Sequence, residues 1–257
     1  MSFLDHFHYC LLDAFCCHKI FEEGQYPCSG PWSSLKPPTI RTFLLDPAVD
    51  KNNNQFILKS ETMNTIDSYP ADWIHGYTDG AAFKGTNFKH SGFGVYLRFP
   101  DGTSSDFSDI CSKPCSDIEL EIAALISATE LTHQHFELLS HLPSNMVFFS
   151  NSKSALEALE MYNSNSHKDI RKLAESIEGL LMSYDVQITL QWIPGHKDFS
   201  GNEHADRFAK QGDGMEQTNN TCSYDTAIQT IRNNFNDWYN LWKPRQKVLF
   251  ENALYTF

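Results

Sequence analysis

A readable pattern of apolar and polar positions begins at Trp73 and continues to about residue 211. Its first part predicts three strands, over residues 73–80, 91–99 and 103–110. The first strand ends in Asp79-Gly80, and the turn signal Asp101-Gly102 joins the other two. We therefore expect one strand followed by an antiparallel hairpin.

The second part alternates helices with strands. Apolar residues at helical spacing predict a long helix from Ser116 to about residue 140, and Met146 to Phe149 is wholly apolar, as in a strand buried on both faces. Helices over about 152–159, 167–184 and 199–211 and a strand over 186–192 complete the series. The order β-β-β-α-β-α-α-β-α predicts an α/β fold, with a mixed five-stranded sheet flanked by helices.

The segments on either side carry weaker patterns. Residues 1–70 contain a short helical pattern, a Pro- and Ser-rich stretch and an Asn-rich loop, and their structure stays undefined. A polar linker begins at residue 213, and apolar spacing predicts an amphipathic helix between Ile228 and Trp242. We divide the chain into an N-terminal segment (1–70), a domain (71–212) and a linker with a C-terminal helix (213–257). That helix either packs on the domain, the simpler interpretation, or offers a surface for protein contact.

Composition narrows the class of protein. A chain of 257 residues can bury one sizeable core, and none of its apolar runs approaches the ~20 residues that span a bilayer. Asp5 and Asp13 interrupt the N-terminus, which lacks an early Lys or Arg, unlike a signal peptide. Seven irregularly spaced cysteines then predict reduced thiols in an intracellular protein of the cytoplasm or nucleus. We expect a monomer that does not associate with membranes.

The net charge of −12 bears on possible partners. Neutralisation of phosphates by Lys and Arg supplies most non-specific affinity for nucleic acids. A nucleic-acid enzyme of this charge therefore depends on divalent metal ions and a few local basic residues, or on a larger assembly.

Residues with metal-binding chemistry follow the predicted strand ends. Asp79 ends the first strand, Asn151 follows the fourth, and Asp206 lies on the last helix. Glu119 and Glu121 lie on the long helix. If the first and fourth strands are adjacent and central, these positions converge at one edge of the sheet. Oxygen ligands of this kind can hold two Mg²⁺ ions ~4 Å apart, one activating water and one stabilising a leaving oxygen.

Five short motifs occur in one order along residues 73–211: Thr78-Asp79-Gly80, Ser91-Gly92-Phe93-Gly94, Cys115-Ser116-Asp117 leading into Glu121-Ile122-Ala123-Ala124, Phe149 to Leu156, and Trp192 to Lys210. None is specific alone, but their order and the separations of 42, 30 and 55 residues between positions 79, 121, 151 and 206 form a strong signal. This part of the chain resembles the type-1 ribonuclease H domain, particularly those carried by non-LTR retrotransposons.

The resemblance implies a ribonuclease H-like fold that cleaves the RNA strand of RNA–DNA hybrids, with two Mg²⁺ ions, or Mn²⁺, as cofactors. Asp79 would bridge both ions, Glu121 would hold the second, and Asp206 the first. His196 would assist proton transfer or product departure. Substrate contacts would come from Gly80, Ser152, Lys197 and Asn202. We choose Glu121 because small residues follow it at the family's spacing, and we expect Glu119 to be a solvated helix residue.

Asn151 departs from the family pattern, because a carboxylate is expected there as a further metal ligand. An Asn offers a neutral oxygen, so the formal ligand charge falls from four to three. Alternatively, Asn151 is only a helix N-cap, a role that Asn and Asp fill about equally well. We expect the fold to survive and the activity to be impaired. The other hypotheses are a catalytically dead pseudoenzyme, a retroelement-derived module that binds hybrids or proteins, and a substitution introduced to trap a substrate complex.

Overall fold

The computed structural model describes residues 32, 36–82, 91–111, 115–137, 143–163, 165–195 and 199–213. They all fall within one compact unit, residues 25–219. The helix predicted between Ile228 and Trp242 lies outside the described residues, as do His196 and Lys197. Within the described part, none of the helices is both long and apolar enough to cross a bilayer.

The sheet is mixed and has six strands in the order β1-β6-β5-β2-β3-β4. They are β1 (Thr39–Arg41), β2 (Ile74–Ala82), β3 (Ser91–Arg98), β4 (Ser104–Ile110), β5 (Asn145–Ser150) and β6 (Gln187–Trp192). β1, β6, β5 and β2 run parallel to one another, β3 is antiparallel to β2, and β4 is antiparallel to β3. The predicted ribonuclease H-like α/β fold is confirmed with one strand more than expected. β1 comes from the N-terminal segment, whose three-residue strand is too short to produce a readable alternation.

The described helices are α1 (Gln55–Asp67), α2 (Asp117–Phe136), α3 (Lys153–Glu160), α4 (Lys168–Ser183) and α5 (Ser200–Asp213). α2 begins with a capping box: the Ser116 hydroxyl accepts from Glu119 N, and the Glu119 carboxylate accepts from Ser116 N at 2.8 Å. Glu119 is therefore a buried cap residue, and the prediction that it is solvated is wrong. The third residue of a helix can reach back to the capping residue, which turns its carboxylate away from solvent.

Two hydrophobic cores lie on the two faces of the sheet. Met146 and Phe148 of β5 belong to the larger core, which also holds the apolar residues of α2 and α4. Val147 and Phe149 belong to the smaller core with Ala205 of α5. The prediction that this strand is buried on both faces is therefore confirmed, since all four side chains are buried.

A disulfide joins Cys111, which follows β4, to Cys115, which precedes the cap of α2. The two Cα atoms lie 6.7 Å apart, within the usual span of a disulfide. The expectation of reduced thiols is wrong for this pair. Cysteine number and spacing did not indicate it, because seven irregularly spaced cysteines do not specify a pairing, even for two that lie four residues apart.

Candidate active site

The carboxyl ends of β2, β5 and β6 meet at one edge of the sheet. Thr78 pairs with Ser150, and Ser150 pairs with Trp192. Asp79 and Asn151 come directly after the first two of these positions, so the parallel register places them side by side. The condition set for the predicted site, that the first and fourth predicted strands are adjacent, is met.

Two glycines let helices approach this edge closely enough to deliver the other carboxylates. Gly94 lies directly opposite Asp79 in the β2–β3 ladder, and a β-carbon there would overlap the α5 backbone at Ala205 and Ala209. A β-carbon on Gly80 would lie 2.7 Å from Leu120 Cβ of α2. α5 therefore crosses β3 in backbone contact and α2 meets β2 in the same way, which brings Asp206 and Glu121 towards Asp79.

These residues line a cleft of about 830 Å³. Six of the predicted site residues lie in its walls: Asp79, Gly80, Glu121, Asn151, Ser152 and Asp206. Asn202 does not line it, because this side chain is 1% exposed within α5. His196 and Lys197 lie outside the described residues, so their predicted roles stay predictions.

Glu121 is held at the base of the cleft with 5% of its surface exposed. Gly80 N donates to Glu121 Oε1 at 3.2 Å. The other oxygen, Oε2, is buried and has no partner in hydrogen-bond geometry among the described residues. Burial, and after it the Asp79 charge, raises the pKa of the Glu121 carboxyl well above its ordinary value, with the Ser150 hydroxyl among the groups that oppose the shift. A buried carboxylate oxygen without a donor is suited to a cation.

Asp79 lies between the other two carboxylates and is 3% exposed. Burial raises the pKa of Asp79 to about 7, and the neighbouring Asp206 charge adds to the increase. The Asn151 amide, which donates to Asp79 Oδ1, opposes it. The Asp79 carboxyl therefore interacts electrostatically with both Glu121 and Asp206.

Asn151 turns its side chain towards Asp79, with Nδ2 as the donor to Asp79 Oδ1. The backbone carbonyl of Asn151 accepts from Trp192 Nε1 at 3.2 Å, which fixes the residue between two strand ends. The alternative that it is an N-cap is wrong, because Ser152 caps α3 by accepting from Ala155 N at 3.3 Å. The position therefore belongs to the site.

Lys210 is a site residue that the sequence reasoning missed. Its Nζ lies 2.5 Å from Asp206 Oδ2, one turn earlier on α5, and it lines the same cleft. The hydrogen bond with Asp206 raises the pKa of Lys210, so the ammonium is present at neutral pH. The i, i+4 spacing of an acid and a lysine on a predicted helix was the available signal.

The family model for RNase H matches residues 72–213, more than half of the chain. The chain belongs to the RNase H family. A ribonuclease H of Albidiferax ferrireducens is 27% identical over 143 residues, which cover 53% of this chain and 91% of that protein.

Two solved RNase H structures are similar to this chain. The crystal structure of RNase H1 from the halophilic archaeon Halobacterium salinarum NRC-1 is 21% identical, with a TM-score of 0.41, and the match covers 54% of this chain and 96% of that one. LC11-RNase H1, in a crystal structure with an RNA/DNA hybrid, is 19% identical with a TM-score of 0.42, over 54% of this chain and 97% of that one.

RNase H proteins generally use divalent metal ions. No group of three or more His, Cys, Asp or Glu side chains that could hold one ion is found among the described residues. The carboxylates instead meet in pairs around Asp79, and Glu121 keeps one buried oxygen without a donor. This oxygen-only set fits hard cations such as Mg²⁺, with one negative charge fewer than a set with Asp at position 151.

Proposed function

We propose that this protein cleaves the RNA strand of RNA–DNA hybrids with Mg²⁺ or Mn²⁺, at a rate reduced by Asn151. One observation carries the proposal. Asp79 of β2, Glu121 of α2 and Asp206 of α5 line a single open cleft in a chain of the RNase H family, and Asn151 occupies the fourth position beside them. Three elements that are distant in sequence place their carboxylates together, at a cost in repulsion that a bound cation would remove.

Each residue has a role in this proposal. Asp79 would be shared by two ion sites, Glu121 would complete one of them with its buried Oε2, and Asp206 would complete the other. Two bound Mg²⁺ ions would activate a water molecule and stabilise the leaving oxygen of the RNA strand. Asn151 and Lys210 lower the affinity of these ligands for the ions, because each already donates a hydrogen bond to a carboxylate that an ion needs.

Binding of the hybrid should be weak and sensitive to salt. Residues 73–211 hold 11 Lys and Arg against 18 Asp and Glu, so few phosphates can be neutralised. Recognition then depends on the A-like shape of the hybrid and its 2′-hydroxyl groups rather than on base sequence.

The test is cleavage of an end-labelled hybrid in a series of Mg²⁺ and of Mn²⁺ concentrations, with Asp79→Ala as the inactive variant and Asp72→Ala as the control. Asp72 is exposed and lies outside the cleft. We expect slow cleavage by the parent and the control, stronger with Mn²⁺, and none by Asp79→Ala with its secondary structure intact. Equal cleavage by all three proteins would indicate a contaminating nuclease and refute the assignment.

A second candidate function is a pseudoenzyme that binds hybrids without cleaving them. The Asn151 amide and the Lys210 ammonium favour it, because they supply two carboxylates with donors from the chain itself. Hybrid binding without turnover in either metal would support this function over the first. An origin in a non-LTR retrotransposon belongs to the same proposal, and reverse-transcriptase coding sequence beside this gene would support it.

A further inference from the structure

The cleft has a wall that the family match does not include. Residues 42–51, here called the N-terminal wall, lie between β1 and α1, and six of them line the cleft together with the site carboxylates: Thr42, Phe43, Pro47, Val49, Asp50 and Lys51. The family model begins only at residue 72. The N-terminal wall is therefore a feature of this chain beyond the matched RNase H domain.

The topology places the wall at the active-site edge. β1 pairs with β6 in parallel, with Arg41 opposite Gln191. Parallel strands present their carboxyl ends at the same edge of a sheet, so the chain leaving β1 emerges beside the ends of β6 and β5. The N-terminal wall therefore lies beside the site carboxylates because β1 runs parallel to β6.

Buried contacts hold the wall in place. Leu44 is fully buried in the larger core, and the buried Gln191 side chain donates to Phe43 O at 2.8 Å. Gln191 also accepts from the Tyr69 hydroxyl at 2.7 Å, and Leu45 N donates to Thr65 Oγ1 at 2.9 Å. The backbone at Phe43 is thus fixed from β6 while its side chain stays available to a ligand.

The exposed chemistry of the wall suits a nucleic acid. The Phe43 side chain is 50% exposed and lines the cleft, and Lys51 is exposed at the same wall. Aromatic rings stack on bases of any sequence, and lysines pair with phosphates. Lys51 adds one positive charge beside Asp50, and Phe43 adds an uncharged surface on which a base can stack.

We propose that the N-terminal wall binds the nucleic-acid strand that enters the cleft, with Phe43 stacking on a base or sugar and Lys51 pairing with a phosphate. This inference rests on the proposed function. A protein partner is the competing occupant, since five of the eight large apolar side chains exposed among the described residues lie within residues 43–63. Nucleic acid is favoured because Phe43 and Lys51 face the cleft, whereas Phe56, 81% exposed on α1, does not line it.

The experiment measures binding of a short fluorescent RNA–DNA hybrid to the full chain by anisotropy, with Ca²⁺ replacing Mg²⁺ to supply an oxygen-binding cation. Phe43→Ala should bind about 5- to 150-fold more weakly, which is the value of one base–aromatic stack. Phe43→Tyr should bind like the parent, and Phe56→Ala serves as the matched control. Phe43→Ala should fold normally, because an exposed side chain contributes little to stability and the hydrogen bond to Gln191 uses the backbone.

Lys51→Ala is the second arm. It should lower the slope of log affinity against log salt by about 0.9, the value of one phosphate contact. Lys36→Ala is its control, since Lys36 pairs with Asp185 and lies outside the cleft.

The outcomes separate this inference from the proposed function. If the parent binds the hybrid and both wall variants bind equally well, the wall inference is overturned and the proposed function stands. Binding restored by Phe43→Leu would show apolar packing and overturn the stacking role. A parent that binds no hybrid would overturn both.

Discussion

Replacing Asn151 by Asp exchanges the side-chain NH2 group for an oxygen and adds one negative charge to the site. In the parent the Asn151 amide donates to Asp79, whose carboxyl is already buried and has a pKa raised to about 7. The variant removes this donor and puts a carboxylate in its place. Without metal it should therefore be less stable than the parent, and with metal it should be the better enzyme.

The size of the metal-free effect follows from two contributions. Loss of a hydrogen bond to a charged group costs about 1.5–3 kcal/mol. Two charges ~4 Å apart at an effective dielectric constant of ~20 repel by about 4 kcal/mol. Uptake of a proton by the Asp79 carboxyl, whose pKa is raised to about 7, limits the repulsion near neutral pH. We expect a loss of about 2–5 kcal/mol, or about 5–15 °C in melting temperature.

Mg²⁺ should narrow or reverse this difference. At ~10 mM Mg²⁺, a site with a Kd of ~0.1 mM stabilises the fold by about 2.7 kcal/mol, whereas a Kd of ~10 mM gives about 0.4 kcal/mol. If the added carboxylate strengthens binding by this much, the Mg²⁺-induced rise is larger in the variant by about 2 kcal/mol. Hybrid cleavage should increase at least ~100-fold, because a charged ligand is restored to a two-ion site.

The assay is thermal melting of parent and variant in EDTA and in ~10 mM Mg²⁺, a concentration chosen for weak Mg²⁺ sites, with cleavage rates on the same samples. Asn165→Asp adds the same charge at an exposed position outside the cleft and is the control. Equal Mg²⁺-induced shifts in parent and Asn151→Asp would show that position 151 does not face the ions. An intact variant no faster than the parent would refute the ligand role.

Three further predictions concern the same site. Gly94→Ala should lower stability by about 1–3 kcal/mol and weaken Mg²⁺ binding, because its methyl group pushes α5 and Asp206 away from Asp79; Gly179→Ala, where nothing lies within 4 Å of the added carbon, is the control, and equal urea midpoints would contradict the prediction. Without metal, stability should fall as pH rises, because the raised pKa of Asp79 makes the folded state hold a proton that the unfolded chain releases; this contribution is complete below about pH 4 and lost above about pH 7. Urea unfolding at several pH values across this range measures the free energy of unfolding. If that free energy depends on pH in Asp79→Asn just as it does in the parent, the prediction is wrong. Lys210→Met should bind Mn²⁺ about 2- to 5-fold more tightly, since the ammonium no longer competes for Asp206; calorimetric titration measures the affinity, and weaker binding would show that the lysine supports the site instead.

Local chemistry made most of the RNase H fold predictable. The wholly apolar Met146 to Phe149 is a strand buried on both faces, and the alternation from Trp73 ends in an Asp at the sheet edge, as expected. These features depend on side-chain period and turn residues over a few positions, which a sequence states directly. Placement of Asp79, Glu121 and Asp206 in one cleft was predicted on the condition that the first and fourth predicted strands are adjacent and central, and the sheet order meets that condition.

Other features depend on contacts between residues far apart in the chain, and only the tertiary structure decided them. The pairing of β1 with β6 makes part of the N-terminal segment a wall of the cleft, although three residues form too short a pattern to read. The capping role of Glu119 and the direction of the Asn151 amide each depend on which neighbour supplies a hydrogen-bond partner. Residue type determines which donors and acceptors a side chain carries, but only folding determines which partners lie within hydrogen-bond distance of them.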